Sequence, residues 1–132
     1  MQQNVTTEYA IRILISLAQA QRRVTASELS GCQRIPRTYI SKIMVRLKEQ
    51  GWLSVKDGAR GGYELAVPPG DITLRQVLEA MSDAPVLCDE RCPEHMGPGC
   101  GALAQVYRQL QRRVDAMLEG VTLEQLARGA QA

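Results

Sequence analysis

Three cysteines and the chain's only histidine fall within thirteen residues, in Cys88-Asp-Glu-Arg-Cys92-Pro-Glu-His95-Met-Gly-Pro-Gly-Cys100. In a reducing compartment, thiols clustered this closely are more often metal ligands or redox groups than structural disulfides. Cys88, Cys92, His95 and Cys100 make a Cys3His set that could close a tetrahedral zinc site. Two of the thiols could instead switch between dithiol and disulfide without a metal. A mobile loop with no ligand is the remaining reading. Two prolines and two glycines in the same span exclude regular structure, so the stretch is expected to be a loop, running from about residue 82 to 101.

The rest of the chain sets the context for that loop. A length of 132 residues suits one small domain with a helical extension. Phe is absent, so the core must come from Leu, Ile, Val, Ala and Met. No apolar run reaches the roughly 18 residues of a membrane span, and no basic segment followed by an apolar one marks a leader. A cytoplasmic protein is therefore expected. The net charge of +2 is unevenly spread: residues 1–66 carry ten Lys/Arg against five Asp/Glu, and residues 67–132 carry six against nine. This asymmetry suits a basic reader of nucleic acid joined to an acidic regulatory half.

The elements follow from periodicity and caps. Ala10, Ile13, Leu14, Leu17 and Ala18 recur at helical steps, which predicts a helix over 7–19, widened by Ile11 and Ile15. Thr25-Ala-Ser-Glu28 is a capping box that opens a short second helix ending near Gly31, with a turn over Cys32 to Ile35. Cys32 is expected to be a buried small hydrophobe. Pro36 suits the first position of a third helix that runs to Gln50 and buries Ile40, Ile43, Met44 and Leu47. Two strands, Trp52–Lys56 and Gly62–Ala66, flank the Gly-rich turn Asp57–Gly61. A helix-turn-helix followed at once by a basic hairpin is the order of a winged helix.

Beyond the break at Pro68-Pro69-Gly70, Thr73 and Gln76 cap a helix carrying Leu74, Val77, Leu78 and Met81. After the cysteine loop, Leu103, Val106, Tyr107, Leu110, Val114, Met117 and Leu118 form an apolar stripe over 102–118. This is more apolar surface than so small a domain easily covers, and a symmetric dimer seam is its natural use. Gly120 ends that helix, and Thr122 with Gln125 caps a last short one with Leu123 and Leu126 inward. The expected fold is mainly α with a small β-hairpin: a winged helix-turn-helix domain at 1–66, then sensor loop and dimerisation helices at 67–132.

This order of elements resembles the Rrf-two family of bacterial regulators over nearly the whole chain. The resemblance is carried by Tyr9-Ala10, Ile35-Pro36, Tyr39-Ile40, Leu47 and Gly51, then by Gly58, Gly61-Gly62-Tyr63 and Leu65-Ala66. Leu74 to Ala80, the three-cysteine loop and Thr122-Leu123 complete it. It implies a homodimeric winged-helix transcription regulator, repressor or activator, with repression the expected sign. Cysteine-bearing members bind an iron–sulfur cluster, so Cys88, Cys92 and Cys100 are the implied ligands. A cluster with one non-cysteine ligand is exchangeable, which suits sensing of redox state, nitric oxide or iron.

The chain departs from the better-known members in three ways. They space the cysteines evenly, whereas here the pattern is C-x3-C-x7-C. One branch supplies a histidine as fourth ligand where this chain has Leu103, and another supplies a carboxylate from the partner subunit's first helix, where this chain has Glu8. A wing arginine that enters the minor groove corresponds to Asp57, so Lys56 or Arg60 must substitute and a different DNA site is expected. For base reading the third helix offers Arg37, Thr38, Ser41 and Lys42, with Tyr39 reaching a phosphate or the core. The implied partner is a double-stranded, roughly palindromic operator, with no membrane. Zinc on the Cys3His set, a thiol switch, or a cluster-free module that meets protein instead of DNA are the alternatives. One histidine, no Ser/His/Asp grouping and no phosphate-cradling Gly loop leave little for catalysis, so an enzyme is not expected.

Overall fold

The computed structural model describes residues 4–87 and 97–129. Within them the order is α1 (Val5–Ala20), α2 (Ala26–Gln33), α3 (Arg37–Glu49), β1 (Leu53–Lys56), β2 (Gly62–Leu65), a short turn of 3-10 helix (Pro69–Asp71), α4 (Leu74–Ala80), α5 (Gly101–Gly120) and α6 (Leu123–Ala127). This is the mainly helical winged-helix fold expected, with one antiparallel hairpin.

Local chemistry starts most of these helices. Asn4 accepts from the Thr6 N–H at the head of α1. Complete capping boxes, with Thr25 and Glu28, Thr73 and Gln76, and Thr122 and Gln125, open α2, α4 and α6. In the hairpin Leu53 pairs with Leu65, Ser54 with Glu64, Val55 with Tyr63 and Lys56 with Gly62. Val24 adds a third edge through two 2.8 Å bonds with Tyr63. That approach needs Gly62: its φ is +134°, and a Cβ there would stand 2.7 Å from the Val24 carbonyl oxygen.

One core joins both halves of the chain. The predicted stripes of α1 (Ala10, Ile13, Leu14, Leu17, Ala18) and α3 (Ile40, Ile43, Met44, Leu47) are buried in it. Ile72, Val77, Met81 and Leu123 belong to the same cluster. The chain's last helix is fixed there by backbone bonds: Leu74 N–H donates to Val121 and Leu123 N–H to Ile72, both at 2.8 Å. Gln19 also donates to the Ala127 carbonyl at 3.0 Å, tying α6 to the end of α1.

Helix α5 lies against α4. Its inward line is Ala104, Tyr107, Gln111, Val114, Asp115 and Leu118, of which Ala104 alone is fully buried. Arg75 of α4 latches the far end, reaching Glu119 at 2.6 Å and Asp115 at 3.9 Å. A second line on α5, Leu103, Val106, Leu110 and Met117, is exposed at 46%, 49%, 42% and 74%.

Three local expectations are corrected. Pro36 is the N-cap of α3, and the helix begins at Arg37; an extended ψ of 137° at Pro36 places it outside the helix. Helix α2 passes Gly31 and runs to Gln33, because Arg34 takes the left-handed conformation that ends it (φ 56°). Cys32 thus lies in the last turn of α2 and is exposed, since Leu29 is the residue of that helix turned into the core.

Candidate nucleic-acid interface and cysteine segment

The outward face of α3 is built by its inward one. With Ile40, Ile43, Met44 and Leu47 committed to the core, Arg37, Thr38, Ser41 and Lys42 are all left exposed. Arg37 opens the helix, and the Ser41 hydroxyl donates back to the Arg37 carbonyl at 3.4 Å. Lys42 lines a cleft of about 350 Å³ with Asn4, Thr6 and Arg46, between α3 and the start of α1. Tyr39 is 37% exposed and packs edge-on against Tyr9, with ring centroids 5.3 Å apart and planes at 80°. Its ring therefore joins α3 to α1, while its exposure leaves the rim of the helix accessible.

The wing tip carries Lys56 and Arg60, both exposed. Gly61 turns the chain there: a Cβ at this position would be 2.2 Å from the Lys56 carbonyl oxygen. Arg23, in the connector between α1 and α2, is a structural residue of the wing. Its guanidinium donates to the Ser54 carbonyl at 3.3 Å, the Ser54 hydroxyl at 3.2 Å and the Gly62 carbonyl at 3.4 Å, and it pairs with Glu64 at 3.0 Å. No sequence periodicity marks that role, because its acceptors lie more than 30 residues away.

Of the candidate ligands, Cys88, Cys92 and His95 lie outside the described residues. Cys100 is half-buried and stands immediately before α5, where its carbonyl accepts from the Ala104 N–H at 3.0 Å. Glu8 is exposed in the first turn of α1, with Arg12 3.9 Å away. Among the described residues no three His, Cys, Asp or Glu side chains converge as a metal site.

The segment leading to Cys88 is held at two points. The Asn4 N–H donates to Asp83 at 2.9 Å. Gln111 of α5 accepts from the Leu87 N–H and donates to the Pro85 carbonyl at 3.0 Å and to Asp115 at 2.9 Å. Neither Asn4 nor Gln111 stands out in the sequence.

An exposed, cation-bearing helix in a helix-turn-helix, followed by a hairpin with a cationic tip, defines a winged-helix DNA-binding regulator. Residues 4–129 match the Rrf2 (Rrf-two) family, described as iron-dependent transcriptional regulators. The chain belongs to that family, and its members are transcriptional regulators, not enzymes. It is 31% identical to an HTH-type transcriptional regulator of Mycobacterium tuberculosis over 98% of this chain and 83% of that one. It is 33% identical to the HTH-type transcriptional regulator IscR of Cereibacter sphaeroides over 57% of this chain and 51% of that one. The solved structure of CymR, the global cysteine regulator of B. subtilis, superposes with a TM-score of 0.83 at 21% identity, covering 97% of each chain, which is a likeness of fold. No described helix is long and apolar enough to cross a membrane.

Proposed function

We propose that this chain is a homodimeric transcription regulator that represses from a roughly palindromic operator and senses iron, redox state or nitric oxide through its cysteine segment. The observation that carries the DNA part is the exposed row Arg37, Thr38, Ser41 and Lys42 beside a wing tipped by Lys56 and Arg60. The start of α3 enters the major groove, where an arginine pairs bidentately with guanine and a threonine methyl meets thymine. Tyr39, Lys56 and Arg60 meet the backbone or the minor groove and fix orientation. The exposed apolar line of α5 supports the dimer, since a two-fold axis beside it lets each copy cover the other.

The donor set suits an iron–sulfur cluster: three thiols at Cys88, Cys92 and Cys100, and a carboxylate at Glu8 for the fourth position, offered by the partner subunit. When bound, the cluster supplies a redox-active and exchangeable metal centre. This chain's own residues then do the coupling. Cys100 adjoins the first residue of α5, and Gln111 ties the segment before Cys88 to the middle of that helix. A change in how the thiols are held is thereby passed to the helix at the dimer seam and so to the spacing of the two readers. A zinc ion on Cys88, Cys92, His95 and Cys100 is the second reading, favoured by the same thiol spacing and the chain's one histidine.

Anaerobic purification followed at once by a visible spectrum and by iron, sulfide and zinc assays tests the cofactor. Brown protein with comparable iron and sulfide, whose colour is lost on Cys88→Ala, Cys92→Ala or Cys100→Ala while the dimer persists, is the expected result. Colourless protein with one zinc per chain moves the assignment to zinc. Duplex binding that does not weaken as salt rises would remove the DNA reading.

A further inference from the structure

The guanidinium of Arg23 is the one side chain among the described residues whose bonds reach both strands of the wing from outside it. It sits between Gln21, where α1 ends in the left-handed conformation, and Val24, which is bonded to Tyr63 of β2. Its partners Ser54 and Glu64 face each other in the hairpin register, and its third partner, Gly62, faces Lys56. With a side chain only 26% exposed, the planar fork is held on acceptors from β1 and β2 at once. Lys56 and Arg60 stand just beyond this clamp, toward the tip.

We propose that Arg23 is the positioning residue of the wing: it sets the angle at which Lys56 and Arg60 are offered to DNA and cancels the charge of Glu64 beside them. The proposal rests on the reading of the wing as a DNA contact. Glu64 is 38% exposed and lies two residues along β2 from Gly62. Without its partner, this carboxylate would stand close to the path of an approaching phosphate backbone and repel it. A lysine at position 23 keeps the charge yet lacks the fork, so it answers Glu64 but cannot hold Ser54 and Gly62 at the same time.

The test uses the full chain and a fluorescent duplex that the wild-type protein has selected from a random-sequence pool. Binding is followed by anisotropy across a salt series for wild type, R23A, R23K, the wing pair K56A/R60A, and R23A combined with that pair. The expected result is a roughly tenfold loss for R23A, with a log–log salt slope shallower by about two, one for each wing cation. In the K56A/R60A background R23A should add only the smaller loss from an unpaired Glu64, because the cations it positions are already gone. R23K should recover part of the affinity but not the whole salt slope. If R23A does not fold, the same comparison is made with R23K alone, where a shallower slope that vanishes in the K56A/R60A background supports the proposal. Binding by R23A and R23K equal to wild type, or a loss that adds in full to that of K56A/R60A, overturns it. If K56A/R60A itself binds as wild type does, the reading of the wing as a DNA contact has failed instead, and the positioning role falls with it.

Discussion

Gln111 grips the backbone at Pro85 from the middle of α5: its Nε2 donates to the Pro85 carbonyl at 3.0 Å while its Oε1 accepts from the N–H two residues on. A side-chain amide used on both of its ends in this way copies a β-ladder pair, and it fixes the chain immediately before Cys88.

Replacing Gln111 with Ala removes both bonds. Each is worth about 1 kcal/mol net, so the Leu87 amide should exchange roughly tenfold faster or more. Hydrogen exchange read by NMR checks this. Exchange at the wild-type rate would show that the grip does not hold the segment in solution.

On α3, Arg37→Ala and Lys42→Ala should each weaken binding to a selected duplex by about 1–3 kcal/mol. Arg37→Ala should also relax the preference at one base pair, whereas Lys42→Ala reduces affinity for all sequences if it meets a phosphate. Fluorescence titration against single-base variants separates the two roles, and unchanged affinity would take the residue off the interface.

The exposed row on α5 gives a prediction about assembly. Leu110→Asp places a carboxylate in the proposed seam, and symmetry applies the change twice. The lost burial is about 2 kcal/mol per copy before the cost of the charge, so dimer dissociation should rise by at least two orders of magnitude. Sedimentation velocity of the variant should show monomer where the wild type shows dimer; a variant that stays dimeric places the seam elsewhere.

Glu28 gives a prediction about pH. Its carboxylate accepts from Arg22 and from the Thr25 N–H, and these bonds hold its pKa below the ordinary carboxylate value. A depressed native pKa contributes stability that is full above the unfolded value and is lost as pH falls through the folded one. The cap of α2 should therefore persist through neutral and mildly acidic pH and loosen only in stronger acid. Arg22→Ala should move the Glu28 titration upward in carboxyl-detected NMR, and an unmoved titration would mean the pair is not formed in solution.

Much of this architecture could be read in advance because its determinants are local. A threonine three residues ahead of Glu28, Gln76 or Gln125 needs no tertiary information to start a helix, and the α1 and α3 stripes needed only periodicity. The exposed face of α3 followed by subtraction, as what remained once its core face was assigned. Arg23 and Gln111 escaped because their partners are distant in sequence and their value lies in hydrogen-bond geometry, which composition does not encode. Cys32 was misplaced for a smaller reason: a left-handed Arg34, not Gly31, ends its helix, and no glycine marks that stop. The ligand roles proposed for Cys88 and Cys92 rest on the family resemblance and the thiol chemistry, and that of His95 on the Cys3His donor set.

The seating of α6 on the first helix has a consequence for how the protein is made. Leu123 shares a core with Ile13 and Ile40, and Leu123 and Ile72 are bonded through their backbones. A ribosome that has released only the winged segment has therefore released a unit whose interior is still open on one side. That interior closes only once residues 123–127 are available to pack on it, so the winged segment completes its core with a helix made well after it.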